Sequence, residues 1–195
     1  MSRLQPTTPI IAIVYGEGAR IAPTLDRVAG HLAANGLRLA GFVQHDLEHD
    51  GRSRCDMVLV DLSTSETVVI SQDRGEGARG CRLDVESLLT AVMRTRVALA
   101  TEPDLVIVNK FGKTECEGGG CRSLIVDAID HDVPVLVAVP LGNLECWRRF
   151  AGDLATEYNL DALPIEGARL CRQLGLVACA SQPEAAAGSD ASALQ

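Results

Sequence analysis

The chain has 195 residues, 47% of them hydrophobic and 23% charged, with a formal net charge of −8. That length suits one ordinary domain with its own core, and 26 acidic against 18 basic residues argues against nucleic acid or an anionic membrane as the main partner. The longest apolar runs, such as Val133–Leu141, fall well short of the roughly 18 residues a membrane span needs, and the first residues lack a signal-peptide profile, so a cytoplasmic, soluble protein with no membrane insertion is expected.

Ile10–Val14 is a short continuous apolar run, the profile of a fully buried strand, and it leads into Tyr15, Gly16, Glu17 and Gly18. Leu25, Val28, Ala29, Leu32 and Ala33 follow at helical spacing, stopped by Asn35-Gly36. Leu37–Val43 reads as a second strand and His45–Arg54 as a polar loop; Met57–Leu62 and Thr67–Ile70 read as two strands joined by a turn at residues 63–66. The stretch 71–82 is rich in glycine and charge, an ordered functional loop or a flexible connector. Asp84 is placed to cap a helix that buries Leu88, Leu89, Val92 and Leu99. Leu105–Val108 is the next buried strand, and the loop 109–120 leads to a helix with Leu124, Ile125, Ala128 and Ile129 on one face. Pro134–Val139 is another buried strand, after which Asn143 opens a short helix carrying Trp147 and Phe150.

Strands alternating with helices around one antiparallel excursion predict an α/β fold, a three-layer sandwich with a mostly parallel sheet. The aromatic residues are only Tyr15, Phe42, Phe111, Trp147, Phe150 and Tyr158, so the core is aliphatic, as buried parallel strands require. A single domain over 8–178 is expected, with a short arm at 1–7 and a disordered tail at 180–195 of low apolar content.

In such a sheet, ligands gather at the carboxyl ends of the strands. The first loop there holds Gly16, Glu17, Gly18 and Arg20. A working phosphate loop reads GxxxxGK[ST], yet Ile21, Ala22 and Pro23 stand where Gly, Lys and Ser/Thr belong. The loop is a degraded phosphate loop with Arg20 in place of the lysine, or a tight turn that needs glycine for its geometry. The second loop holds Asn109, Lys110 and Lys113, and these are the only two lysines of the chain. Two ammonium charges and a neutral amide donor suit an oxyanion.

Seven cysteines without a secretory signal argue for reduced thiols or a metal site over a disulfide framework. Cys116 and Cys121 bracket a Gly-rich loop and would complete a four-thiolate site if Cys55 and Cys81 approached them. Cys81 stands between Arg79 and Arg82, a setting that lowers a thiol pKa. Cys146, Cys171 and Cys179 read as packing or surface residues, and no metal ligand set is assigned.

The segment 105–115, with the first loop and Leu39–Phe42, resembles a family of small phosphate-loop nucleoside-triphosphatases known from thermophiles. That family ends the strand in D-E-x-G-K-x-E. Gly112, Lys113 and Glu115 match it, whereas Asn109 and Lys110 replace the two leading acids, which argues against magnesium-dependent hydrolysis. A closer resemblance, spread over about residues 10–175, is to an uncharacterised bacterial family associated with molybdenum transport and metabolism. It rests on Val14-Tyr15-Gly16, Cys55-Asp56-Met57, Ser71-Gln72, residues 80–84, Asn109–Lys113 and Phe150-Ala151-Gly152. Together these readings imply a binding protein for a small anionic ligand, an oxyanion such as molybdate or a nucleotide, held between the first loop, Arg79, Arg82 and Asn109–Lys113. It would be an accessory in molybdenum metabolism rather than an active enzyme. The alternatives are an active nucleoside-triphosphate phosphohydrolase, with Glu115 orienting water, and a cysteine-based metal or redox protein.

Overall fold

A computed structural model describes residues 4–47, 56–72 and 83–177. Among these residues seven strands form one sheet: β1 (Ile10–Tyr15), β2 (Leu39–Leu47), β3 (Asp56–Asp61), β4 (Thr67–Val69), β5 (Leu105–Val108), β6 (Val135–Pro140) and β7 (Ala155–Asn159), in the order β4-β3-β2-β5-β6-β1-β7. The five strands β2, β5, β6, β1 and β7 run parallel, and β3 and β4 extend the sheet as an antiparallel pair. The expected three-layer α/β sandwich is therefore the observed one.

Alternation along the strands assigns the two faces. Ile11 and Ile13 of β1, with Leu105 and Ile107 of β5, pack beneath α1 (Ala22–Ala34) and α6 (Gly167–Gln173). Ala12, Val106, Val108 and Val137 face the other way, under α2 (Val85–Leu99), α4 (Arg122–Asp130) and α5 (Leu144–Ala151). Because both faces are covered, β5 and β6 read as unbroken apolar runs. Gly41 sits at φ +100°, and a Cβ there would lie 2.0 Å from the Ile107 carbonyl oxygen, so only glycine lets β2 dock on β5.

Local chemistry explains the element ends. The Asp84 carboxylate accepts from the amides of Glu86 and Ser87 and caps α2 as expected. The Asp61 carboxylate accepts from the Ser63 and Thr64 amides and closes the turn into β4.

Several expectations are corrected. β2 runs on to Leu47, so His45 is a strand residue, 3.4 Å from Asp26 of α1. Leu89 is 45% exposed and joins Val85, Met93 and Val97 on the outer face of α2, while Ala91 and Thr95 take the buried positions. Asn143 makes no capping hydrogen bond; its side chain donates to the Phe111 carbonyl at 3.0 Å. Leu4, within the expected arm, is buried against the α1–α6 side of the core. β7 and α6 lie in a stretch for which the sequence suggested no element. No helix of the described residues is long and apolar enough to cross a membrane. Cys55, Arg79, Cys81, Arg82, Cys179 and the tail 180–195 lie outside the described residues.

Candidate ligand-binding site

The β5–α4 loop is built around Phe111. Its amide donates to the Ala138 carbonyl at 2.8 Å, and its carbonyl accepts from Asn143. Its ring is fully buried between Trp147, edge-on at 5.1 Å, and Phe150, stacked at 5.3 Å. Arg122 lies over the Phe150 ring at 4.5 Å. With Phe111 pinned inward, its neighbour Lys110 is turned out to the exposed side of the loop.

Asn109 continues the sheet by side chain. The β2–β5 ladder ends at Phe42 and Val108, and Asn109 Oδ1 accepts the amide of Gln44 at 2.9 Å. This uses the amide oxygen and leaves the side-chain NH₂ as donor.

After Gly112 comes the single turn α3 (Lys113–Cys116). Glu115 is 4% exposed, and its two carboxylate oxygens accept from the amides of Gly112 at 2.7 Å and Cys121 at 2.9 Å. A Cβ on Gly120, at φ +59°, would lie 2.0 Å from Glu115 Oε1, so glycine is required for the loop to close over this carboxylate. Glu115, which the hydrolase alternative has orienting water, braces residues 112–121.

The thiols sort differently from expectation. Cys116 is bonded to Cys146 of α5, with Cα atoms 5.8 Å apart, a separation disulfides ordinarily span. That corrects the expectation of reduced thiols and removes Cys116 from any thiolate cluster with Cys121. Cys121 is a buried free thiol whose pKa is pushed well above its ordinary value, by burial first and then by the Glu115 carboxylate. Cys171 is buried as well, which raises its thiol to about 11. Neither resembles a reactive thiolate, and no group of three or more metal-ligating side chains occurs among the described residues.

The loop borders a cavity of about 450 Å³ at the carboxyl ends of β2 and β5. Asn109, Lys110, Gly112, Lys113, Thr114 and Glu115 form one side, and β2, β3, Ile70 and α2 supply the others. The Lys113 side chain is 87% exposed and sits 3.6 Å from Glu117, a weak surface pair. A Cβ on Gly112 would lie 3.7 Å from Lys110 Cε, which places the Lys110 stem across that glycine.

None of Gly16, Glu17, Gly18 or Arg20 lines this cavity. The first loop leads into α1 on the opposite face. At its edge of the sheet it is two strands from β5, roughly 10 Å at the usual strand spacing. Ile21 opens α1 with no capping hydrogen bond, and Gly16, Gly18 and Arg20 are exposed. The structure therefore gathers Asn109, Lys110 and Lys113 at the cavity and leaves the first loop apart from it.

A magnesium ion, which the resemblance to phosphate-loop hydrolases implies, does not fit the donor set of the described residues. Magnesium is held by one or two carboxylates together with water and phosphate oxygens. The strand-end positions hold an asparagine whose oxygen is already bonded and a lysine, and Glu115 has both oxygens on backbone amides.

Fold and site together define a parallel-sheet α/β protein with a ligand-sized cleft at the carboxyl edge of its strands. The chain belongs to the family described as Protein of unknown function (DUF2478), whose model matches residues 10–167. It is 34% identical over 157 residues to "Molybdenum import ATP-binding protein ModC 2" of Bradyrhizobium diazoefficiens; the match covers 80% of this chain but 18% of that protein. Among solved structures it is similar to THEP1 from the hyperthermophile Aquifex aeolicus, at 18% identity and a TM-score of 0.49, over 77% of this chain and 91% of that one.

Proposed function

We propose that this chain binds a small anion, an oxyanion or a phosphorylated molecule, in the cavity beside Asn109, Lys110 and Lys113, and acts by binding rather than by hydrolysis. The observation that carries this reading is the placement of both lysines of a chain of net charge −8 at one cavity, beside an asparagine amide. Lysine acts on such ligands as a point charge and asparagine as a neutral donor. Among the described residues the one acid lining that cavity, Glu115, is held by two backbone amides. The first loop is read as a degraded phosphate loop, because it lacks the lysine that would reach a terminal phosphate.

An accessory role in molybdenum metabolism is part of the proposal, with molybdate among the anions to be tried. Its support is the molybdenum-import protein that shares 34% identity with most of this chain.

Thermal-shift measurements with phosphate, molybdate, tungstate, ATP and GTP, each with and without magnesium, test the reading. A ligand that prefers the folded state raises the melting temperature. The expected result is a magnesium-independent shift with at least one anion, lost in the Lys110→Ala, Lys113→Ala double variant. No shift with any of the anions refutes it.

A further inference from the structure

Resting on the anion-binding reading above, we infer that the ligand is an organic phosphate monoester with an apolar body of aromatic size, not a bare inorganic oxyanion.

The argument starts from how the cavity distributes its chemistry. Among the described residues its charged donors come from the loop 109–115, and the facing walls are Phe42, Met57, Leu59, Ile70 and Leu88, from β2, β3, the end of the β4 hairpin and α2, with the Gln44 amide the one polar side chain beside them. Four of these five side chains are buried, and all are apolar, so the cavity has a cationic side and a greasy side. A tetrahedral oxyanion engages only the first. It would leave the apolar walls against water, which such walls hold poorly. A ligand that covers them gains free energy in proportion to the apolar area it removes from water.

Size points the same way. Pockets for small organic molecules span about 300–1,000 Å³, built of apolar walls with a few placed polar groups. At about 450 Å³ this cavity is within that range. It is many times larger than one ion, whose volume is on the order of that of one or two waters, about 30 Å³ each. The head group is assigned from charge. Two ammonium groups and a donor amide suit a dianion, with Lys113 exchanging its weak, exposed pair with Glu117 for the ligand.

Isothermal titration of the full chain with 1-naphthyl phosphate, inorganic phosphate and 1-naphthol tests the inference. Naphthyl phosphate is expected to bind about tenfold or more tighter than either part alone, and to be displaced by excess inorganic phosphate. Lys110→Ala should weaken naphthyl phosphate and phosphate alike. Met57→Gln should weaken only naphthyl phosphate, with its melting curve as the check on folding. The displacement on the unmodified chain stands independently of both variants. Equal affinity for naphthyl phosphate and phosphate overturns the inference and leaves the anion reading intact. Naphthyl phosphate binding that ignores Lys110→Ala, or 1-naphthol binding as well as its phosphate, also overturns it. Failure of both phosphates to bind overturns the inference, and the anion reading then stands or falls with the molybdate, tungstate and nucleotide measurements above.

Discussion

The most informative single substitution is Glu115→Gln, because the two readings of this residue assign it opposite consequences. If the carboxylate orients water in a hydrolase, the amide leaves the fold untouched and removes activity. In the structure its oxygens accept from the amides of Gly112 and Cys121, at 2.7 and 2.9 Å, in a site that is 4% exposed. Glutamine keeps one of these bonds, without the charge that strengthens it, and turns an NH₂ toward the other N–H. A hydrogen bond to a charged group is worth about 1.5–3 kcal/mol and a neutral one about 0.5–1.5, so the variant loses about 2–4 kcal/mol. In a chain of this length 1 kcal/mol moves the midpoint by about 2–4 °C, giving an expected fall of roughly 5–15 °C. The assay is paired: thermal melting by circular dichroism, and magnesium-dependent phosphate release from ATP, on the same samples. A Glu115→Gln variant that melts within about 1 °C of the parent while losing a measurable ATPase refutes the brace and restores the hydrolase.

Gly41→Ala sets a Cβ 2.0 Å from a backbone oxygen at φ +100°, where no side-chain motion relieves the overlap, and should cost about 3–6 kcal/mol by denaturant unfolding. The Cys116–Cys146 bond closes a loop of 30 residues, worth about 3–4 kcal/mol by the chain-entropy estimate. The paired serine variant should therefore melt lower, and both thiols should alkylate only after reduction; alkylation of both in the unreduced folded protein refutes the bond. Asp84 accepts from the Ser87 hydroxyl first, and then from the Ser87 and Glu86 amides, which hold its carboxyl below its ordinary value of 3.8. Because the folded value lies below that of the unfolded chain, this cap supports the fold fully above about pH 4 and loses that support as pH falls further. The stability gap between the parent and Asp84→Asn should accordingly narrow on acidification, and a gap independent of pH would contradict it.

What the sequence discloses depends on how local the physics is. Leu105–Val108 is buried on both faces and therefore apolar throughout, so strand β5 is legible to the residue. Asp84 is legible because its cap partners lie two and three residues on. β7 is not: Ala155–Asn159 is an edge strand, half-buried on alternate and adjacent residues alike, and its strand partner among the described residues is β1, far away in the chain. Leu89 misleads because the buried stripe of α2 has room for Ala91 and Thr95, and a leucine next to Leu88 turns outward by roughly 100°. The Cys116–Cys146 bond and the cavity are tertiary facts, assembled from segments that no spacing rule connects.

The second loop shows how residues that match a catalytic motif can also serve the local architecture. Gly112, Lys113 and Glu115 match a hydrolase pattern, yet Gly112 and Glu115 also have a local structural use. Glu115 reaches back three residues to the Gly112 amide and forward six to that of Cys121, and Gly120 is the glycine that lets the loop close over it. Lys113 leans on Glu117 in solvent. With Phe111 locked behind the loop, this frame sets Lys110 across Gly112 at the rim of the cavity. Asn109 and Lys110 in place of the two strand-end acids are compatible with every one of these contacts. The frame is therefore the part of the pattern that a binding protein would need to keep, and its retention is no argument for hydrolysis.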